Sequence, residues 1–405
     1  MSTLEESAGA GRRELGDGWL VLVTSLLGIA AGAASLLFYS IGVFFEPLQR
    51  EFGWNRGQIA SALIYLTLGF VVSGPIVGSL IDKYGARFIA LFSIPMLALT
   101  MYALGHLGNS LAAFFVLFFA AGCFGGGTTP VVYTRVVNAN FDRSRGLALG
   151  IVLAGTGIAA LVLPPTIAAT IGWSGWRAGF ILLAIASALA WPLVFFGFRD
   201  VEGAEAPRAL SAAGTDRTAA LKSRVFWTIA IGFIAVATAV SGLVVHLVPL
   251  LRDAGMSLPK AAATASFIGI GVIVGRVLVG WTIDRVFAPY VAAMVFLLTA
   301  TGCALLNLGG AQAAPVAAFL IGFALGAEID LIAYLTARYF GMRNYGFLYG
   351  IIYSIFSIGA AAGPAIVGNL FDSFGNYRIA LWAMASCLVF GAGTVASLPQ
   401  FATQR

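Results

Sequence analysis

An arginine stands in the middle of a long apolar run of this sequence. Arg276 lies within residues 261–283, a stretch long enough to form a membrane-spanning helix. An arginine at the centre of such a helix costs about 2.5–3.5 kcal/mol to insert, so intramembrane arginines usually face a watery cavity, an acidic partner or an anionic substrate. Arg276 therefore predicts an anion-binding site inside the membrane.

Two acidic residues occupy another apolar run. Asp330 stands eight residues before Arg338, much as Arg276 stands nine residues before Arg285. At 1.5 Å per residue, both side chains are about 12–13 Å from the ends of their helices, so their depths match. Positions 328 and 330 are about 200° apart on a helix, so either Glu328 or Asp330 can face Arg276 squarely, but not both.

We expect Asp330 to be the partner, because Tyr334 lies one turn further along the same face. In this interpretation Asp330 pairs with Arg276 until an incoming carboxylate displaces it, and the displaced, desolvated acid then takes up a proton. Two alternatives stay open. Asp330 can form a purely structural pair with Arg276, or Glu328 can carry the proton.

Further residues are candidates for contact with an anion. His246 lies near the outer end of a predicted helix, just before Pro249, and its alternative role is packing. Tyrosine hydroxyls can donate to a carboxylate, although membrane tyrosines mostly pack or lie at the interface. The candidate tyrosines are Tyr39, Tyr133, Tyr334, Tyr349 and Tyr353.

The composition is that of an integral membrane protein. Hydrophobic residues make up 60% of the chain and charged residues 10%, and the mean hydropathy is +0.94. The 50 glycines fit helices that pack closely in lipid, whereas a closed barrel would alternate polar and apolar residues. We therefore predict an all-α fold that crosses the lipid bilayer.

Twelve apolar segments each approach the roughly 20 residues needed to cross a bilayer core. The charged segment 1–16 predicts a cytoplasmic tail and not a signal peptide. The predicted spans are 18–45, 57–80, 87–107, 111–138, 146–171, 177–198, 224–250, 261–283, 288–309, 313–337, 347–371 and 378–398.

Basic residues predict the orientation, because lysine and arginine accumulate on the cytoplasmic side. A cytoplasmic N-terminus places sixteen of them inside and six outside, so both termini are expected in the cytoplasm. The same asymmetry accounts for the net charge of +6 without nucleic acid. We expect a monomeric multi-pass protein that lies in the cell membrane, namely the inner membrane of a bacterium. The six outer residues are Arg50, Arg56, Arg177, Arg252, Lys260 and Arg378.

Catalytic patterns of soluble enzymes are missing from the sequence. Cys123, Cys303 and Cys387 lie in apolar segments without metal-ligand or redox spacing. The two histidines belong to no Ser, His and Asp cluster, and no phosphate-binding loop is present. We therefore predict neither enzymatic activity nor a cofactor nor a metal.

The chain contains an internal repeat. Three features recur at offsets of 200–202 residues. They predict two six-helix halves, 17–198 and 224–398, joined by the polar cytoplasmic linker 199–223, with a second tail at 399–405. Two parallel halves with a binding site near the midplane are typical of secondary transporters. The recurring pairs are Asp82 and Asp284, segments 143–150 and 343–350, and Arg177 and Arg378.

The segment 78–87 resembles the loop between helices 2 and 3 in the major facilitator superfamily. Asp82 and Arg87 stand at motif positions, and Lys83 replaces an arginine. The resemblance implies a fold of twelve helices. It also implies that Asp82 and Arg87, with Asp284 and Arg285 in the second half, serve gating and not substrate binding.

Two stretches resemble the monocarboxylate transporter family within that superfamily. One is the acidic opening signature at 17–19, and the other is a helix 5 signature that includes Phe141, Arg145, Gly150 and Gly155. Arg276 matches the arginine that binds the substrate carboxylate in that family and in the similar oxalate:formate exchanger.

Three other charges of those transporters are replaced by uncharged residues, namely Tyr39, Val272 and Ile352. A site with one cation suits a monoanion, because a dianion would leave one carboxylate unpaired in low dielectric. We predict a secondary active transporter that moves a small monocarboxylate with a proton by alternating access. The alternatives are an organic-anion exchanger or exporter on the same fold and a sensor that does not transport.

Overall fold

The structure is a computed structural model that describes residues 16–141, 145–198, 215–283, 285–341 and 344–401. Within these ranges the chain is helical, with short 3-10 turns and loops and without β-strands. The predicted all-α membrane fold is confirmed. Contacts divide the chain into two compact units.

Unit 1 comprises Met1–Gly53 and Ala62–Ala204. Helix α3 starts in unit 2 and continues in unit 1. The helices of unit 1 are α1 (Trp19–Ala30), α2 (Ala33–Phe52), most of α3 (Arg56–Tyr84), α4 (Ala86–Gly105), α5 (Leu111–Phe124), α6 (Pro130–Asn140), α7 (Arg145–Leu153) and α8 (Gly155–Gly197).

Unit 2 comprises Trp54–Ser61 and Glu205–Arg405. It therefore contains the first turns of α3. Its other helices are α9 (Arg217–Lys222), α10 (Arg224–Asp253), α11 (Leu258–Ala265), α12 (Phe267–Ile283), α13 (Ala288–Gly309), α14 (Ala314–Phe340), α15 (Tyr345–Phe374) and α16 (Arg378–Ala396).

In the described part of the chain, ten helices are long and apolar enough to cross a membrane, or up to eleven with the bent pair α1 and α2. One of the ten, Leu147–Gly197, covers two predicted spans and departs from helical geometry at Gly175, where φ is 80° and ψ is 171°. Glycine adopts this positive φ without steric cost. The predicted boundary between those two spans thus coincides with a break in the backbone.

Four predicted spans are not continuous helices as expected. Segment 18–45 bends by 40° between α1 and α2, and segment 111–138 contains the 3-10 turn Gly125–Thr128. Segment 146–171 is divided between α7 and α8, and segment 261–283 between α11 and α12. The first two breaks support each other, because the Thr128 hydroxyl accepts a hydrogen bond of 3.1 Å from the backbone N–H of Ala33. Hydropathy does not register such contacts.

Glycines bring α12 and α14 together backbone against backbone. At four positions an added Cβ would overlap with a backbone carbonyl oxygen of the other helix, so residues without side chains are required there. Arg276 directly follows one of these glycines, and Asp330 lies one turn beyond another. The contact, which we call the glycine seam, therefore fixes the spacing of these two charges. Its members are Gly271 and Gly275 on α12 and Gly322 and Gly326 on α14.

Replacing a seam glycine should separate the two helices. In Gly322→Ala the new methyl group would overlap with the carbonyl oxygen of Ile268, and we expect the free energy of unfolding to fall by about 1–3 kcal/mol. Gly280→Ala on α12 is the control, because its methyl group meets nothing within 4 Å. Thermal unfolding of the purified variants measures the difference. Equal stability of the two variants would contradict the seam.

Candidate functional site

The structure brings Arg276 and Asp330 together within unit 2. Nη1 of Arg276 on α12 lies 3.3 Å from Oδ1 of Asp330 on α14. The arginine side chain is 11% exposed and the aspartate side chain 31% exposed. The sequence places Arg276 and Asp330 at matching depths in their helices, and in the structure the two residues form an ion pair. Asp330 is the more exposed partner of this pair.

Arg276 is only partly satisfied by this contact. A distance of 3.3 Å exceeds the usual 2.7–3.2 Å of an N–H···O bond. Its Nε is buried and has no hydrogen-bond partner among the described residues. Since a guanidinium carries five N–H donors, Arg276 retains donors for a further acceptor. A carboxylate can take two of them in a planar, bidentate geometry.

Glu328 occupies a different environment from Asp330 on the same helix. It is 1% exposed, and neither of its carboxyl oxygens has a hydrogen-bond partner within the described ranges. An ionised carboxylate without partners in an apolar interior costs several kcal/mol. The two acids of α14 thus differ in burial and in partner, as their roughly 200° separation predicts.

Aromatic rings of α15 stack beside these charges. The ring centroids of Tyr345 and Tyr349 are 5.5 Å apart and those of Tyr349 and Tyr353 5.8 Å, with interplanar angles of 15° and 21°. Tyr349 interacts electrostatically with Arg276 and Asp330. The predicted tyrosines Tyr349 and Tyr353 therefore lie close to the charged residues.

The other predicted tyrosines have different surroundings. Tyr334 is half-buried on α14, and its ring centroid lies 6.5 Å from that of Phe401. Tyr39 belongs to unit 1 and packs edge-on against Phe38 at 5.3 Å. Tyr133, also in unit 1, is fully buried, and no hydrogen-bond partner of its hydroxyl is found among the described residues.

His246 takes part in a directional hydrogen-bond chain. Its Nε2 lies 2.8 Å from the carbonyl oxygen of Pro364, and its Nδ1 lies 2.9 Å from the hydroxyl of Tyr377. A carbonyl oxygen only accepts, so Nε2 carries a proton, and in a neutral ring Nδ1 accepts from Tyr377. That hydroxyl oxygen in turn accepts from Nη1 of Arg56 at 2.8 Å.

Asp253 is the last residue of this series of hydrogen bonds, and the sequence pattern does not mark it as a site residue. Nη1 and Nη2 of Arg56 donate to its two carboxylate oxygens at 2.6 and 2.8 Å. The guanidinium carbon lies 3.9 Å from the centroid of Phe371. Asp372 accepts from the backbone N–H groups of Arg56 and Gly57 at 3.2 and 2.8 Å, so it caps helix α3. These residues and Trp54–Ser61 all belong to unit 2.

The equivalent place in unit 1 uses a different cation. Glu51 accepts from Trp176 Nε1 at 2.5 Å and pairs with Arg177 at 2.7 Å. Glu51 and Trp176 precede Asp253 and Tyr377 by 202 and 201 residues. In the sequence, the repeat that pairs Arg177 with Arg378 points to the neighbourhood of Tyr377. It does not indicate that Arg56 contacts Tyr377 and Asp253.

The predicted gating residues are described in part. Arg87 Nη2 donates to the carbonyl oxygen of Phe195 at 2.8 Å, and Arg285 Nη1 donates to that of Trp281 at 2.7 Å. Asp284 and the side chain of Asp82 lie outside the described residues. Across the described ranges, no group of three or more His, Cys, Asp and Glu side chains could hold a metal ion.

A sequence model of the Major Facilitator Superfamily matches residues 27–364. Monocarboxylate transporter 13 of Bos taurus is 27% identical over 397 residues, which cover 95% of this chain and 90% of the relative. Monocarboxylate transporter 12 of Mus musculus is 24% identical over 416 residues, covering 93% of this chain and 84% of the relative.

The fold is also similar to that of a solved structure. A bacterial homologue of the human lysosomal transporter Spinster, in an inward-facing and occupied conformation, superposes with a TM-score of 0.67. At 17% identity, with 93% of this chain and 94% of the other covered, this similarity concerns the fold alone.

The hydrogen bonds that link His246 through Tyr377 and Arg56 to Asp253 predict a structural role for His246. Tyr377→Phe removes the hydroxyl that bonds both His246 and Arg56, and at about 0.5–1.5 kcal/mol for each bond we expect a loss of about 1–3 kcal/mol in unfolding free energy. Tyr290→Phe, which alters a 59% exposed tyrosine, is the control. Thermal unfolding and carboxylate binding are measured in parallel. A loss of affinity at unchanged stability would instead make this cluster part of the binding site.

Proposed function

The chain belongs to the major facilitator superfamily, and from that premise we propose that this transporter moves a small monocarboxylate together with a proton by alternating access. The relatives named monocarboxylate transporters support the substrate class. The partly satisfied guanidinium of Arg276 is the observation that carries the proposal.

A single cationic anchor supports a monoanion as substrate. Arg276 can offer a pair of N–H donors to one carboxylate. Val272 and Ile352, at positions where similar transporters carry charges, are 1% and 0% exposed and apolar. A second carboxylate on the substrate would have to be desolvated without a partner at those positions, which costs several kcal/mol.

Proton coupling follows from competition for Arg276. An arriving carboxylate brings a second anion to Arg276, and two carboxylates beside one guanidinium leave a net negative charge, so the long contact with Asp330 is the one that gives way. Once displaced, Asp330 loses the neighbouring positive charge that favours its ionised form and takes a proton. The Asp330 side chain is 31% exposed, which supports it as the acid that exchanges the proton. Glu328 is the alternative carrier, although it is only 1% exposed.

The remaining assignments concern orientation and accessory residues. We place both termini in the cytoplasm, as the distribution of basic residues supports, and we assign the protein to the cell membrane of a bacterium. Arg87 and Arg285, with Asp82 and Asp284, act in gating. Among the tyrosines, Tyr349 and Tyr353 are supported as substrate contacts by their position beside Arg276, Asp330 and Glu328.

Loss of the anchor should abolish substrate binding. We expect Arg276→Ala to weaken the binding of L-lactate, pyruvate and benzoate by at least about 30-fold, because truncating one partner of a buried charge pair costs 2–5 kcal/mol. Arg276→Lys should also be impaired, since an ammonium lacks the planar fork. Calorimetric titration of purified protein measures the affinities. The control Arg378→Ala removes an exposed arginine of unit 2, and near-normal affinity in Arg276→Ala would exclude the anchor.

Loss of the competing acid should uncouple transport. Asp330→Asn resembles the protonated acid permanently, so we expect substrate to bind and accumulation driven by a pH gradient to disappear in proteoliposomes. Exchange of labelled for unlabelled substrate needs no net proton movement and should survive.

Glu328→Gln is the matched control on the same helix, and we expect it to retain pH-driven accumulation. If Glu328→Gln loses accumulation and Asp330→Asn keeps it, the roles of the two acids are reversed. If the wild-type protein exchanges carboxylates at a rate independent of a pH gradient and never accumulates them, it is an organic-anion exchanger.

A further inference from the structure

Helix α15 carries an aromatic stack, which we define as Tyr345, Tyr349, Tyr353 and Phe356. Three of its members are tyrosines spaced by four residues, about one helical turn. The successive ring centroids are 5.5, 5.8 and 5.8 Å apart, and the interplanar angles are 15°, 21° and 24°. The rings therefore form a continuous column along one side of the helix.

The column runs past the charged residues of the anion site. Helix α15 packs against α14, the helix of Asp330 and Glu328, and the column lies within electrostatic range of Arg276 and both acids. Tyr349 is half-buried and Tyr353 is 40% exposed. Both tyrosines thus keep exposed surface on a helix that packs against the helix of Asp330.

The fold does not require aromatic residues at these positions. The internal repeat with an offset of 200 aligns Tyr349 with Leu149 and Tyr353 with Leu153, and both leucines pack against the hydrophobic core of unit 1. Tyr345 aligns with Arg145. The column is therefore a feature of the half that carries Arg276, and packing of the repeated architecture does not account for it.

The stacked geometry determines which part of each ring is available. Nearly parallel rings whose centroids are 5.5–5.8 Å apart are displaced sideways, so neighbouring rings leave edges and part of their faces open. The edge of an aromatic ring carries the positive part of its quadrupole and attracts the negative face of another ring in a T-shaped contact. A saturated ring or a short alkyl chain has no such face and gains only from burial.

From this arrangement we propose that the site takes monocarboxylates with a flat aromatic body, whose carboxylate binds Arg276 and whose ring lies against the rings of Tyr349 and Tyr353. The inference rests on the proposed carboxylate function and narrows it to a substrate class. It assigns Tyr349 and Tyr353 to the selection of the substrate through their rings and not through their hydroxyl groups.

Two ligands of equal charge and carbon number test the proposal. Benzoate and cyclohexanecarboxylate both carry one carboxylate on a six-membered ring, and only benzoate has an aromatic face. Calorimetric titration of the wild-type protein should give benzoate an affinity at least about 3-fold higher, although the saturated ring is the more hydrophobic. Acetate serves as the carboxylate without a body.

Variants then assign the preference to the column. Tyr349→Leu introduces the residue of the other repeat and should lower benzoate affinity by about 3- to 10-fold while acetate affinity changes less than about 2-fold. Tyr349→Phe keeps the ring and should keep the preference for benzoate. Tyr290→Leu, at an exposed tyrosine of α13, is the control and should change neither affinity.

Each outcome decides between the proposals. Equal affinities of the wild-type protein for benzoate and cyclohexanecarboxylate overturn the aromatic class and leave carboxylate transport standing. An unchanged preference in Tyr349→Leu shows that the column packs against lipid or neighbouring helices and overturns its role. A loss in Tyr349→Phe as large as in Tyr349→Leu assigns the effect to the hydroxyl. If none of the three carboxylates binds, both the function and the inference fail.

Discussion

The backbone contact between α12 and α14 constrains everything else in the candidate site. Four glycines remove the side chains that would hold the two helices apart, and each allows a carbonyl oxygen of the neighbouring helix to approach. In lipid, such close packing is a main source of helix association, because the hydrocarbon tails are as apolar as leucine. Arg276 comes directly after Gly275, and Glu328 and Asp330 come two and four residues after Gly326. The close backbone contact therefore determines how far the backbone of Arg276 lies from the backbones of the two acids.

Unit 2 contains two polar groups of opposite character. Arg56 donates to Asp253 on one side and to Tyr377 on the other, and from Tyr377 the hydrogen bonds run through His246 to Pro364, all at 2.6–2.9 Å. Such a network is rigid, because its buried donors and acceptors are matched to one another. Around Arg276 the single contact is long, and an adjacent acid has no partner among the described residues. The first arrangement suits a fixed scaffold, and the second suits a group that exchanges partners.

Much of this organisation could be predicted from the sequence. Apolar runs indicate the membrane helices, and counting residues from the helix ends places Arg276 opposite Asp330, whereas the two halves indicated by the 200-residue repeat stay a prediction. These features depend on local pattern or on helical rise. The break between α1 and α2 depends instead on Thr128, some 95 residues away, and Arg56 reaches Asp253 over 197 residues. Contacts at such separations leave no periodic signal, so the sequence does not show that His246 bonds Tyr377 and Pro364.

The first turns of α3 have a consequence for the order in which the molecule is made. Trp54–Ser61 belongs to unit 2, yet its partners Asp253 and Asp372 follow Arg56 by 197 and 316 residues. At about 5–20 residues per second, a ribosome needs about 15–60 s to add the last of them. In unit 1, Glu51 finds its arginine only 126 residues later and needs nothing from the second half. Unit 1 can thus complete its acid and cation pair during synthesis, whereas unit 2 closes only after the residues of α15 have emerged. A chain cut at the linker would divide the protein at the wrong place, because the second half would be separated from the arginine that completes it.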